Sequence, residues 1–284
     1  MKNMTYIYLW IEQNLNIKIT LADLALKSGY SQRYLNSLFR EQTGMSPGQY
    51  IRNRKLTQAA FMLRDSRRSI TDISLMYGFE NLSSFSRSFK LFSYKTPRRY
   101  RQSSSWNMEA YCPSATLRET KCNVKFLHIK DTLINITHRN TLKVNFGINF
   151  HLSTTDGRYY PPGNTHSHFM QFIFSKKTEN GFVVGGEVKP GQDCDTVITA
   201  YKGNFNHIIN NKTDTVTISD GIYICFIFKG RPHELMAYQA WARGHGLHKY
   251  GISLKRGPTF TYYEPIPDTN IYECHHFFPC NQNL

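Results

Sequence analysis

The sequence lacks any apolar run of eighteen or more residues, the length that a transmembrane helix needs. Its first residues, MKNMTYIYLWIEQ, have polar and acidic positions where a signal peptide would have an apolar stretch. The six cysteines all follow residue 110 and include no CxxC pair. We therefore expect a soluble cytoplasmic chain whose thiols are reduced.

Acidic residues are also scarce, with 20 Asp and Glu against 35 Lys and Arg and a formal net charge of +15. The imbalance is uneven along the chain. Up to Gln102 there are 17 basic and 6 acidic residues, a net of +11, whereas the remainder has 18 against 14, a net of +4. The N-terminal part is therefore the part expected to bind a polyanion, for which nucleic acid and an anionic membrane surface are the main candidates.

This basic part contains an internal repeat. Residues 20–30 (TLADLALKSGY) and 69–79 (SITDISLMYGF) superimpose with an offset of 49 residues. Each copy has a hydroxyl residue, an aspartate three positions later and a glycine near its end: Thr20, Asp23 and Gly29, then Ser69, Asp72 and Gly78. This spacing predicts a capped helix that a left-handed residue ends.

A second amphipathic helix is predicted after each glycine, starting at the N-caps Ser31 and Asn81. Helix, glycine turn and helix with a polar outer face is the pattern of a helix-turn-helix. On the outer faces, the residues expected to contact DNA bases are Arg33, Asn36 and Ser37 in the first unit and Leu82, Ser83 and Arg87 in the second.

Ser46 and Pro47 predict the start of a long helix between the two units, with its last apolar position at Leu63. A continuous helix is a rigid spacer, so it could hold two recognition helices about one turn of B-DNA apart, roughly 34 Å. The residues expected to contact phosphates are Gln32, Arg40, Lys55, Lys90, Lys95 and Arg98, with Arg99 and Arg101 as further candidates.

Residues 7–101 resemble the DNA-binding module of the AraC/XylS family of bacterial transcription regulators. The resemblance is carried by LADLALKSGYSQRYLNSLFREQTGMSPGQYIRNRKLTQAAFML and ITDISLMYGFENLSSFSRSFKLFSYKTPRRYR. It implies a sequence-specific regulator, most often an activator that engages RNA polymerase, which binds operator DNA in the bacterial nucleoid. Two recognition helices on one chain favour a monomer on DNA.

A change of pattern divides the chain into a DNA-binding domain at residues 1–102, a linker at 103–120 and a regulatory domain at 121–284. Short β-branched and aromatic runs predict strands at 124–129, 169–174, 195–201, 222–228 and 272–278. Residues 232–247 predict a helix, and residues 140–150 suggest a weaker one. The expected fold is therefore an all-α domain followed by an α+β domain with an antiparallel sheet.

The second domain resembles the GyrI-like effector-binding family through GIYICFIFKG, PTFTYYEPIP and YECHHFFPC. This resemblance implies an aromatic-lined pocket for a small-molecule effector. The candidate lining residues are Tyr223, Phe226, Trp241, Tyr262, Tyr263, Glu264 and His275.

Several alternatives remain open from the sequence. The chain could be an architectural or origin-binding protein of low sequence specificity, or its second domain could be a hydrolase. We expect no enzyme, since no compact nucleophile and base pair stands out, and no cofactor. Histidine groups (166 with 168, 245 with 248, and 275 with 276 beside Cys274 and Cys280) lack a recognised metal spacing, and Cys274 with Cys280 is the nearest redox pair.

Overall fold

The computed structural model describes residues 3–116, 120–145, 172–174, 180–190, 195–205 and 214–281. The N-terminal part is all-helical. Its helices are α1 (Met4–Gln13), α2 (Leu21–Ser28), α3 (Gln32–Thr43), α4 (Pro47–Asp65), α5 (Ile70–Met76), α6 (Leu82–Ser93) and α7 (Pro97–Gln102).

The predicted helix caps are confirmed. The Thr20 hydroxyl accepts a hydrogen bond from the Asp23 amide at 3.2 Å, and the Asp23 carboxylate accepts one from the Thr20 amide at 2.8 Å. Hydrogen bonds from the Thr20 hydroxyl and amide also lower the pKa of Asp23. The Ser69 hydroxyl accepts a hydrogen bond from the Asp72 amide and so caps α5, and Gly29 and Gly78 have φ angles of 76° and 69°. Local side-chain chemistry thus sets the limits of both helix-turn-helix units.

Helix α4 is the centre of the N-terminal part. It contacts α3, α5, α6 and α7, and most of its 19 residues are buried. At a rise of about 1.5 Å per residue it is about 28 Å long. Since the buried phenylalanines Phe39 of α3 and Phe89 of α6 share its hydrophobic core, the two units are fixed on one rigid element.

The described residues of the C-terminal part form a ten-stranded antiparallel sheet with a helical segment on one face. Its strands are β1 (Ser105–Asn107), β2 (Asn123–Ile129), β3 (Thr132–Asn145), β4 (Phe182–Pro190), β5 (Asp195–Phe205), β6 (Thr215–Ile218), β7 (Gly221–Gly230), β8 (Ser253–Lys255), β9 (Thr259–Pro265) and β10 (Tyr272–Asn281). The order is β6–β3–β5–β4–β9–β10–β7–β2, and the end of β10 also pairs with β8, which pairs with β1. The helical segment comprises α8 (Pro232–Trp241), a π-helical turn (Ala242–Gly246) and α9 (Leu247–Lys249).

Four predicted strands and the helix at 232–247 are confirmed, but two predictions were wrong. Residues 140–145 belong to strand β3, which pairs with β5 along most of its length, and not to a helix. Residues 172–174 are helical, and not part of a strand. A short apolar run cannot distinguish a strand from a buried helical turn, because non-local pairing decides. The remaining residues of both predictions, 146–150 and 169–171, lie outside the described residues.

The segment predicted as a linker is structured over its described residues 103–116, because it packs on both halves of the chain. Trp106 is buried in strand β1, and the Met108 amide donates to the Ile252 carbonyl at 2.8 Å. On the helical side, the Cys112 amide donates to the Thr57 hydroxyl, and the Ala115 amide donates to the Tyr50 hydroxyl, both at 3.0 Å. One continuous hydrophobic cluster therefore extends from the helical part into the sheet.

A buried ion pair joins three elements of the N-terminal part. Arg54 of α4 donates from Nε and Nη2 to the two carboxylate oxygens of Glu12 in α1, at 2.8 and 2.6 Å. Its Nη1 donates to the Cys112 carbonyl of the linker. Burial alone would lower the pKa of Arg54, but the Glu12 carboxylate outweighs it, so the pKa is raised. Removing two charges from water is costly, and the bidentate geometry together with the third hydrogen bond offsets this cost.

We expect Glu12→Gln to lower the free energy of unfolding by about 3 kcal/mol, because the Arg54 guanidinium then stays buried without its counterion. Urea unfolding measures the effect. The matched control is Asp214→Asn, which removes the partner of Arg139 in a pair whose side chains are 41% and 54% exposed. The control should change stability by less than about 1 kcal/mol. Equal effects of the two substitutions would contradict the importance of the buried pair.

Candidate nucleic-acid interface

The two recognition helices are equivalent. Helices α3 and α6 have twelve residues each, and their N-caps Ser31 and Asn81 each accept a hydrogen bond from the amide three residues later. In each helix the two core positions are fully buried, Leu35 and Phe39 in α3 and Phe85 and Phe89 in α6. The opposite side of each helix is left available to solvent, so both helices present a polar face.

The predicted base-contacting residues lie on these polar faces. Arg33, Ser37, Leu82, Ser83 and Arg87 are exposed, and Asn36 is half-buried. The Asn36 side-chain amide donates to the Gln32 carbonyl of its own helix at 3.1 Å. The second N–H of this amide and its carbonyl oxygen stay available for a base edge. Exposure is necessary for base contact, and the roles of these residues stay predictions.

The residues predicted to contact phosphates differ in their placement. Gln32, Arg40, Lys90 and Arg98 are exposed. Lys95 is half-buried, and its ammonium donates to the Ser103 hydroxyl at 2.7 Å. Of the further candidates, Arg99 is exposed. Arg101 instead donates to the carbonyls of Leu63 and Arg68, so it links α7 to the end of α4.

The structure places Lys55 in the interior, in conflict with its predicted role as a phosphate contact. The residue is 8% exposed, and its ammonium donates to the Ile17 carbonyl at 2.7 Å. Burial lowers the pKa of Lys55 to about 8. The sequence does not reveal that Lys55 is buried. The residue lies on a basic helix, and the carbonyl that it binds belongs to the turn before α2, which is distant in the sequence.

The predicted effector pocket is divided by the sheet. Phe226 and Tyr263 face the helical segment and belong to the same buried cluster as Trp241. Tyr223 is buried in a second cluster on the opposite face, and Tyr262 packs against that cluster. Alternation along β9 and β10 places Glu264 and His275 on the face of Tyr262. The seven residues therefore cannot line one pocket, and only Tyr262, Glu264 and His275 retain exposed surface.

Charged side chains of neighbouring strands form a row on the face of the sheet that carries Tyr262, opposite the helical segment. Glu264 and Glu273 are direct partners of β9 and β10, and Lys229 of β7 is the next partner of Glu273. The Lys229 ammonium lies 2.7 Å from one Glu273 oxygen, and the His275 Nε2 atom lies 2.9 Å from the other. The hydrogen bond from Lys229 lowers the pKa of Glu273. The lysine thus offsets the repulsion between two facing glutamates.

Of the cysteine and histidine groups considered from the sequence, the one at residues 274–280 does not form a single cluster. His276, Cys274 and Cys280 face the helical segment, whereas His275 faces the other way. Cys274 and Cys280 are six residues apart on one strand, about 20 Å, which is too far for a disulfide. Burial raises the pKa of both thiols. Burial also lowers the pKa of His276 to about 3. His166 and His168 lie outside the described residues.

Two helix-turn-helix units on one buried spacer helix, each with an exposed basic and polar recognition helix, define a DNA-binding protein. A family model described as a helix-turn-helix domain matches residues 24–103. The chain is 42% identical over 104 residues to the TetD protein of transposon Tn10 from Escherichia coli, covering 37% of this chain and 75% of that protein. It is 40% identical over 92 residues to the multiple antibiotic resistance protein MarA of Salmonella typhimurium, covering 32% of this chain and 72% of that protein. The chain belongs to the AraC/XylS family of DNA-binding transcription regulators.

The similarity to one relative extends beyond the DNA-binding half. The right origin-binding protein of Escherichia coli K12 is 27% identical over 270 residues, which cover 92% of this chain and 89% of that protein. A solved AraC-type regulator from Chromobacterium violaceum is 30% identical with a TM-score of 0.34, over 34% of this chain and 88% of that one. The membership of the chain in a family of transcription regulators agrees with the expectation that it is not an enzyme.

Among the described residues, no helix combines the length and apolar character that crossing a membrane requires.

We expect the wild type to gain stability relative to Lys55→Met between pH 8 and 10. The unfolded chain keeps the Lys55 proton up to about pH 10.5, whereas the folded protein releases it near pH 8. At this residue the unfolded state therefore binds more protons in this window, so the contribution of Lys55 to the free energy of unfolding increases with pH, by about 1–3 kcal/mol.

Urea unfolding of both proteins at several pH values between 7 and 10 measures this difference. Lys18→Met, which replaces an exposed lysine, is the control and should leave the slope of the wild type unchanged. Parallel curves for the wild type and Lys55→Met would show that Lys55 is not desolvated.

Proposed function

We propose that this regulator acts by reading two successive major grooves of one operator, with α3 in the first groove and α6 in the second. The observation that carries this proposal is the attachment of both recognition helices to the single buried helix α4. Its length of about 28 Å is close to the roughly 34 Å of one turn of B-DNA. One chain then achieves what a helix-turn-helix protein often achieves as a dimer.

Different side chains have different roles in this proposal. The exposed guanidinium groups of Arg33 and Arg87 suit a forked pair of hydrogen bonds to O6 and N7 of guanine. Asn36 suits adenine, and Leu82, which is 42% exposed, suits the methyl group of thymine. Ser37 and Ser83 are small enough to let the helix approach the bases. The exposed residues Gln32, Arg40, Lys90 and Arg98, with Lys95, contact phosphates and set the affinity.

We expect in-vitro selection of duplex DNA with the full-length protein to give an asymmetric site with two preferred patches about 10 bp apart. Arg33→Ala should relax base preference in one patch, and Arg87→Ala should relax it in the other. Each should weaken binding by about tenfold or more at fixed salt, since a bidentate contact to guanine contributes about 1–3 kcal/mol.

The matched control for this selection is Arg67→Ala, which removes an exposed arginine between α4 and α5. It should leave both patches intact. A pool without sequence preference, with uniform weakening by all three substitutions, would reject operator recognition. That result would favour an architectural or origin-binding role, the activity named in the right origin-binding protein.

The C-terminal sheet is proposed to tune this activity, through a small-molecule effector on the face that carries Tyr262, Glu264 and His275. These three side chains share one face, and the Tyr262 ring lies 6.1 Å from the His275 ring. Activation through RNA polymerase in the bacterial cytoplasm follows from the family resemblance.

A screen of small molecules by melting temperature, repeated with Tyr262→Ala, tests the effector face: a stabilising compound should lose its effect in the variant.

A further inference from the structure

Basic side chains from both halves of the chain meet at the residues that connect them. Lys95, which directly precedes the N-cap of α7, donates to the Ser103 hydroxyl at 2.7 Å and to the Ser105 carbonyl at 3.5 Å. Ser105 is the strand partner of Lys255 in the β1–β8 ladder. Lys95 of the second helix-turn-helix unit is therefore one strand away from Lys255 of the C-terminal sheet.

Arg256 continues this surface. Its amide donates to the Ser104 carbonyl at 3.2 Å, and its guanidinium donates to the Arg101 carbonyl at 3.3 Å and lies over the Trp106 ring at 5.3 Å. The backbone and the indole therefore hold Arg256 against the end of α7. Lys255 and Arg256 are both exposed, as are Arg98 and Arg99 of α7.

We call the group Lys95, Arg98, Arg99, Lys255 and Arg256 the junction patch. Its five cations come from the end of the second helix-turn-helix unit and from strand β8 with the residue that follows it, and the partners given above for Lys95 and Arg256 are neutral hydroxyl and carbonyl oxygens. Such a concentration of like charge is favourable when a polyanion covers it, because counterions are then released.

The position of the junction patch selects the partner. Lys95 and Arg98 follow recognition helix α6 within five residues of its end and are among the proposed phosphate contacts. In the proposed complex, DNA bound by α6 passes beside Lys95, and Lys255, the strand partner of the Ser105 to which Lys95 donates, adds a cation of the sheet to the same surface.

We propose that Lys255 and Arg256 of the C-terminal sheet contact DNA phosphates beyond the half-site of the second recognition helix, so that the regulatory half is part of the DNA interface. This inference depends on the proposed groove-reading function and adds a second region of contact to it. Phosphate contacts of this kind contribute affinity and salt dependence without base preference.

The test compares the wild type, Lys255→Ala and Lys255→Glu on two duplexes that carry the selected operator. One duplex ends at the outer base pair of the second patch, and the other continues for ten further base pairs on that side. The control is Lys125→Ala, which removes an exposed lysine from strand β2 of the same sheet with the same change in net charge. Melting temperatures establish that all variants are folded.

On the long duplex we expect Lys255→Ala to weaken binding about threefold and to reduce the slope of log K against log salt by about 0.9. Lys255→Glu should weaken it further. On the short duplex both variants should bind like the wild type, and Lys125→Ala should match the wild type on both.

Unchanged binding of Lys255→Ala and Lys255→Glu on the long duplex would overturn the proposal, as would an equal loss on both duplexes. Failure of groove reading gives a different result, since Arg33→Ala and Arg87→Ala would then leave base preference unchanged whatever Lys255 does.

Discussion

The buried ion pair between Glu12 and Arg54 is the constraint on which the arrangement of the N-terminal half depends. It fixes α1 against α4, and the third guanidinium hydrogen bond fixes the chain at Cys112 against the same helix. A buried pair of charges contributes little net stability, but it tolerates few alternative geometries because every misplacement leaves a charge unsatisfied. The pair therefore specifies where the connecting segment leaves the DNA-binding half.

Much of the DNA-binding half can be predicted from the sequence because its signals are local. A hydroxyl residue three positions before an aspartate, and glycines at the turns, define helix ends over a few residues, as at Thr20 and Gly29. The repeat then supplies a second copy of the same signals. The strand at residues 222–228 was equally clear, since a long β-branched and aromatic run between turn residues has few other outcomes.

The failures come from contacts between residues distant in sequence. Lys55 looked like its basic neighbours in α4, yet the Ile17 carbonyl, 38 residues away, binds its ammonium inside the protein. Residues 140–145 are extended because strand β5 pairs with them. The aromatic residues proposed for one pocket were separated by the pleat of the sheet, because a change of one residue in register reverses the face of a side chain. None of these outcomes has a signal in a short window.

The connection between the two halves limits how the sheet can influence DNA binding. Domains joined by a flexible linker move independently unless a large apolar interface holds them. Here the Trp106 ring contacts the guanidinium groups of both Arg64, from the spacer helix α4, and Arg256, from the sheet, at 5.5 and 5.3 Å. The same indole donates to the Tyr100 carbonyl of α7. A continuous path of packed atoms therefore connects β8 to α4 and α7, and through α7 it connects the sheet to the second helix-turn-helix unit.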